Sequence, residues 1–74
     1  MSQIYKHTKS GNLYLLLFIA KETDKAEDVV VYQALYGENQ IWVRPMNEFF
    51  GAIEFQGDTV ARFEKIEINR LPNI

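Results

Sequence analysis

VVVYQALYGENQIWVRP, residues 29 to 45, decides the fold. Two runs rich in β-branched and aromatic residues, Val29–Tyr36 and Ile41–Arg44, flank Gly37-Glu38-Asn39, so the stretch reads as an antiparallel hairpin. Loop parity then sorts its side chains, because slipping the register by one residue sends every side chain to the opposite face. If 37–39 form the loop, Tyr36 stands opposite Gln40 and Tyr32 opposite Arg44. One face then carries Tyr32, Ala34, Tyr36, Trp42 and Arg44. The other carries Val31, Gln33, Leu35, Ile41 and Val43. A two- or four-residue loop would mix the sets, pairing Tyr36 with Ile41. The odd loop is preferred, since glycine in a three-residue connection is a common arrangement. It places the aliphatic set on the core and turns the aromatic and arginine set away from it.

Working outward, the rest of the chain keeps the same rhythm of short apolar runs separated by Gly, Asn and Asp. Ile4–His7 reads as a first strand and Leu13–Lys21 as a second, joined through Ser10-Gly11-Asn12. The unbroken apolar run LYLLLFIA, residues 13 to 20, implies burial on both faces. ETDKAED, residues 22 to 28, is an exposed loop. Pro45 ends the fourth strand or marks a sheet edge, and Met46–Phe50 reads as one helical turn whose Phe49 and Phe50 drop onto an open end of the sheet. Ala52–Phe55 and Thr59–Phe63 flank Gln56-Gly57-Asp58 as a further hairpin. The expected fold is mainly β, a small partly closed barrel of the Src-homology-3-like type with five or six short antiparallel strands and one helical turn. A curled sheet with one helix is the competitor. Residues 1–74 make one domain with its core over 4–66, and the tail 67–74 is expected to fray.

Size and composition bound the function. A chain of 74 residues removes only about 60% of its unfolded surface from water, so its core is thin. No cysteine is present, which excludes disulfides and thiolate metal sites, and stability must come from the 47% hydrophobic and 14% aromatic content or from a second copy. Eight basic against ten acidic residues give a net charge of −2. That balance argues against nucleic acid as partner, despite the small basic patch Lys6, His7 and Lys9. The patch and the run after it mimic a secretion signal. No cleavage site follows, however, and eight apolar residues are too few to span a bilayer, so no membrane role and a cytoplasmic location are expected.

Catalytic chemistry finds little support. A nucleophilic enzyme needs a Ser or Cys, a base and an orienting group, and His7 is the single imidazole. Asp24, Glu27 and Asp28 lack calcium-loop spacing, and neither a GxGxxG nor a Walker pattern occurs, so no metal and no cofactor are expected. Tyr and Trp offer ring area with a polar tip, while Arg stacks on rings and forks toward carboxylate or phosphate. Tyr32, Tyr36, Trp42 and Arg44, with Phe49 and His7 at the margin, are therefore the candidate partner or ligand surface. The alternative stays open that the rings only pave a wall or are capped by Phe49 and Phe50 from the same chain.

YKHTKSGNLY, VVYQALYGENQIWVRP, EFF and RFEKI, in that order, resemble the short bacterial and phage family known as domain of unknown function 1653. The pattern falls on Tyr5, His7, Gly11, Tyr14, Val31, Tyr32, Leu35, Tyr36, Gly37, Trp42, Val43, Arg44, Pro45, Phe49, Arg62 and Phe63, over about residues 4 to 66. The resemblance implies a small strand-rich module and names no activity. Phe18 stands where the family pattern has glycine and Ala61 where it has proline, and the histidine usual near Lys21 is missing. Phe18 could thus add apolar surface at a contact between copies.

The expectation for function is a non-enzymatic interaction module. It binds a protein partner or itself through the aromatic and arginine face, with Leu16 and Phe18 as self-association residues of a homo-oligomer. The alternative is a module that binds or sequesters a small anionic or nucleotide-like ligand, in the manner of a phage-type inhibitor.

Overall fold

The computed structural model describes residues 3–67. The chain runs β1 (Ile4–His7), β2 (Leu13–Lys21), β3 (Asp28–Ala34), β4 (Ile41–Pro45), α1 (Met46–Phe49), β5 (Ala52–Phe55), β6 (Asp58–Ala61) and β7 (Phe63–Lys65). Five of these strands form one antiparallel sheet in the order β4-β3-β2-β1-β7, and β5-β6 is a separate two-stranded sheet.

The connections follow from local chemistry. Gly11 (φ 81°) closes the β1–β2 turn, where its N–H donates to the His7 carbonyl at 2.7 Å. The charged loop after β2 is organised by Glu22, whose carboxylate accepts from the backbone N–H groups of Asp24 and Lys25. Gln56 and Gly57 both adopt positive φ between the paired Phe55 and Asp58, the two-residue turn whose twist matches a hairpin. At Arg62 the chain changes sheets: its N–H donates to the Gly51 carbonyl, and its own carbonyl accepts from Thr8.

Mainly β with one helical turn is what the sequence implied. Closure into a barrel is not seen among the described strands, because β4 and β7 lie at opposite ends of the five-stranded sheet. The expected strand over 59–63 divides at Arg62 into the end of β6 and the start of β7, which pair with different neighbours. The fraying expected from residue 67 onward falls almost wholly on 68–74, outside the described residues.

The register of the decisive hairpin is two residues off. Tyr32 faces Trp42 and Val30 faces Arg44, because β3 stops at Ala34 and the connection spans residues 35–40. Asn39 adopts a left-handed φ of 57° and its side-chain amide donates to the Ala34 carbonyl, which lengthens the loop beyond its glycine. A shift of two leaves parity intact, so Tyr32, Trp42 and Arg44 do share a face.

The direction of that face is reversed from expectation. Val30, Tyr32, Phe49 and Phe63 form the core, with Tyr5, Tyr14, Leu16 and Met46 packed against it. Phe49 and Phe63 stack at 4.1 Å, and Tyr32 meets both edge-on at 5.1 and 5.6 Å. Thus the aromatic face looks inward, while Ile41 and Val43 lie exposed on the far side. The physical reason is area. A large ring buries roughly 150–250 Å² and gains edge-to-face contact besides, so a thin core is built around rings in preference to valines.

Candidate functional site

The inward face is covered by α1 and Phe63 at its centre but open at its β4 end. There Tyr14, Tyr32, Tyr36, Trp42 and Arg44 line a cleft of about 220 Å³. Cross-strand pairing positions four of them: Tyr14 lies opposite Ala34, Tyr32 is flanked by Leu16 and Trp42, and Arg44 is two residues beyond Trp42. Tyr36 arrives from the connection, its hydroxyl 2.7 Å from that of Tyr14. Trp42 remains 51% exposed and Tyr36 half-exposed.

Arg44 is held from two sides. Its Nε–H donates to the Tyr32 hydroxyl at 3.3 Å, and Nη1 approaches Glu48 Oε1 at 3.5 Å, a loose ion pair. A guanidinium has five N–H donors, so these contacts orient it without saturating it. Burial, then the bond to Tyr36, pushes the Tyr14 phenol up to about 12, which keeps it protonated across the physiological range.

His7 lies at the margin of this positive region. Its ring packs edge-on against Phe63 at 5.1 Å. The Ser10 backbone N–H donates to Nδ1 at 3.3 Å, so Nδ1 accepts and the ring proton belongs on Nε2. Partial burial first, then the charges of Arg44, Arg62 and Lys9, hold its pKa below the usual histidine value.

The structure therefore gathers Tyr32, Tyr36, Trp42 and Arg44 at one cleft, with His7 nearby. Phe49 does not belong with them: it is 0% exposed and can touch no partner. Leu16 packs against the core from the same face as Tyr32, so it is not available for contact between copies, whereas Phe18 lies exposed on the opposite face. Tyr14 and Glu48 were missed. Face parity carried back from the β2–β3 connection would have put Tyr14 on the other face, because the bulge between Leu16 and Phe18 shifts the register; Glu48 depends on how the chain turns after Pro45, which no periodicity encodes.

A larger groove of about 570 Å³ opens beside Glu27, Asp28, Met46, Asn47 and Phe50. It holds no cation, and one of its two carboxylates, Asp28, is already paired with Lys21 at 2.8 Å. The cleft is smaller but combines a guanidinium, phenols and an indole, so chemistry favours it over volume. Among the described residues no group of three or more His, Asp or Glu side chains could hold a metal ion.

Residues 3–65 match the sequence pattern of a family described as "Protein of unknown function (DUF1653)". The chain belongs to this family. A crystal structure of a DUF1653 protein from Bordetella bronchiseptica is similar in fold, with a TM-score of 0.77 at 25% identity, over 89% of this chain and 86% of that one. No curated protein matches. The matched range includes every residue of the cleft.

Proposed function

We propose that this DUF1653 chain is a non-enzymatic interaction module whose cleft receives an acidic side chain or terminal carboxylate of a protein partner. The observation that carries the reading is Arg44: a half-buried guanidinium, oriented by Tyr32 and only loosely paired with Glu48, set in a wall of phenols and an indole. Such a wall gives an incoming carboxylate rings to pack against beside a charge-assisted bond to the guanidinium.

Volume favours this over the nucleotide-like alternative. Sites for drug-sized ligands run from roughly 300 Å³ upward, and about 220 Å³ suits one side chain or a single anionic group. The groups lining the cleft also favour binding over catalysis, since a phenol held protonated to about 12 is a poor base. A cytoplasmic setting, a phage-type inhibitory role and a Src-homology-3-like arrangement of the strands belong to the same proposal. For the last, the bulged β2 and the separate β5–β6 hairpin speak in favour.

The test uses Trp42 as the reporter, the one tryptophan of the chain. Glutamate- and aspartate-containing peptides, inorganic phosphate and adenosine monophosphate are titrated while indole fluorescence is followed. Acidic peptides should perturb Trp42 and saturate, with the response lost in Arg44→Gln. No response to any acidic peptide sinks the reading, and tighter binding of the nucleotide would replace it with the small-ligand one.

A further inference from the structure

The face of the five-stranded sheet turned away from the core leaves large apolar side chains of β2 and β4 exposed. Cross-strand pairing places Leu15, Gln33 and Ile41 in one row of that face and Phe18, Val31 and Val43 in the next. Phe18 is 55%, Ile41 50% and Val43 62% exposed. An antiparallel sheet with one face in water normally alternates apolar with polar residues. Here β2 is apolar on both sides over residues 13–20, and β3 gives this face Val29 and Val31 beside the polar Gln33; Val29, seated between Ala20 and Pro45, is already buried.

We propose that a second copy of this chain covers this face, making a two-sheet sandwich with the outer faces as its shared interior. Area points to a sheet as the occupant. Strands of 4, 9, 7, 5 and 3 residues at ~3.3 Å rise and ~4.8 Å spacing give a flat face of roughly 440 Å², to which side-chain relief and the rims add. A standard stable interface needs about 800 Å² per partner. A single helix, about 10 Å across, would leave much of the face wet.

Charge points to the chain itself. Lys6 and Glu64 are the charged residues at strand positions of this face, and they are cross-strand neighbours of opposite sign. The patch is therefore neutral in a chain of net charge −2. Two copies can meet there through a two-fold axis without like-charge repulsion, and a strongly acidic or basic partner gains nothing. Phe18 sits just past the bulge that shifts the β2–β3 register, opposite Val31 and more than half exposed. Sheets packed in this way lie ~10 Å apart with strands about 30° from parallel.

The experiment is the oligomeric state of the full chain by light scattering and sedimentation equilibrium. Wild type should be dimeric at micromolar concentration. Phe18→Glu and Val43→Glu should each raise the dissociation constant about a hundredfold or more, since each buries unpaired charge twice in a symmetric contact. Circular dichroism checks that the variants keep their β signal. Should they fail to fold, isotope-filtered nuclear Overhauser contacts in a mixed labelled and unlabelled wild-type dimer decide the matter. Contacts between methyl groups of Leu15, Val31 and Val43 across copies are expected. A monomeric wild type, a dimer that survives both substitutions, or a dimer lacking those contacts overturns the proposal. An edge-to-edge dimer through β4 would give the second of these results. The acidic-peptide response of Trp42 lies on the opposite face, so either proposal can fail without the other.

Discussion

At the scale of single residues, the two titrating groups beside the cleft respond to pH in opposite senses. Tyr14 ionises at about 12 in the folded chain against about 10 unfolded. Above pH ~10 the unfolded state therefore loses this proton first, and stability falls as pH rises further. Ultraviolet titration should show one phenol resisting ionisation, and Tyr36→Phe should bring it back toward the ordinary range by removing the 2.7 Å hydroxyl contact. His7 shifts the other way. With its folded pKa lowered by burial and by Arg44, Arg62 and Lys9, the unfolded state takes up the proton first as pH falls through ~6.5, and stability is lost on that descent. The melting temperature of His7→Gln should fall less than that of wild type between neutral and mildly acidic pH. Equal slopes would show that the ring's surroundings do not oppose its charge. Neither effect was legible in the sequence. Tyr14 and Tyr36 are 22 positions apart and meet only because β2, β3 and the connection after it bring them together.

At the scale of elements, the sequence was readable wherever a local rule dominates. Gly11 and Gly57 with the apolar runs beside them place β1, β2 and β5 at their observed bounds and the start of β6 within a residue, since glycine takes the positive φ those turns need. The decisive hairpin was readable in parity but not in register, because Asn39 shares the left-handed conformation with Gly37 and extends the connection. Which face looked inward was not readable at all. That depended on α1 and Phe63 arriving over the rings, and both come later in the chain. The placement of α1 in turn rests on Gly51. A Cβ there would lie 2.6 Å from the Asn47 carbonyl oxygen, a backbone atom that cannot swing aside. Gly51 also accepts from the Arg62 N–H, while Arg62 Nε–H donates to the Glu48 carbonyl at 3.0 Å. Gly51→Ala should accordingly lower stability by about 1–3 kcal/mol in denaturant melts, in the upper range of single substitutions. A neutral result would mean that the turn after α1 relaxes without consequence.

For the whole molecule, the governing fact is that a short chain places its aromatic mass on one side of an open sheet. A mainly β fold follows from the alternating pattern, but closure depends on whether the two edge strands meet, and no periodicity in the sequence records that. The open sheet makes the core a single layer of side chains, and Phe49 is its keystone. It is fully buried, stacked on Phe63 at 4.1 Å and met edge-on by Tyr5 and Tyr32. Its neighbour Phe50 is half-exposed and lies 6.0 Å from Tyr5. Truncating a buried Phe to Ala costs roughly 3–5 kcal/mol, and in a domain of this size each kcal/mol moves the melting temperature by about 4–8 °C. Phe49→Ala should therefore lower the thermal midpoint by more than about 12 °C, or abolish cooperative melting outright. Phe50→Ala should move it by far less. The contrast between adjacent, chemically identical side chains isolates burial from composition. Equal losses for both would mean that α1 contributes by covering the sheet edge as a unit rather than by driving one ring into the aromatic stack, and the inward-facing core described above would have to be redrawn around that edge.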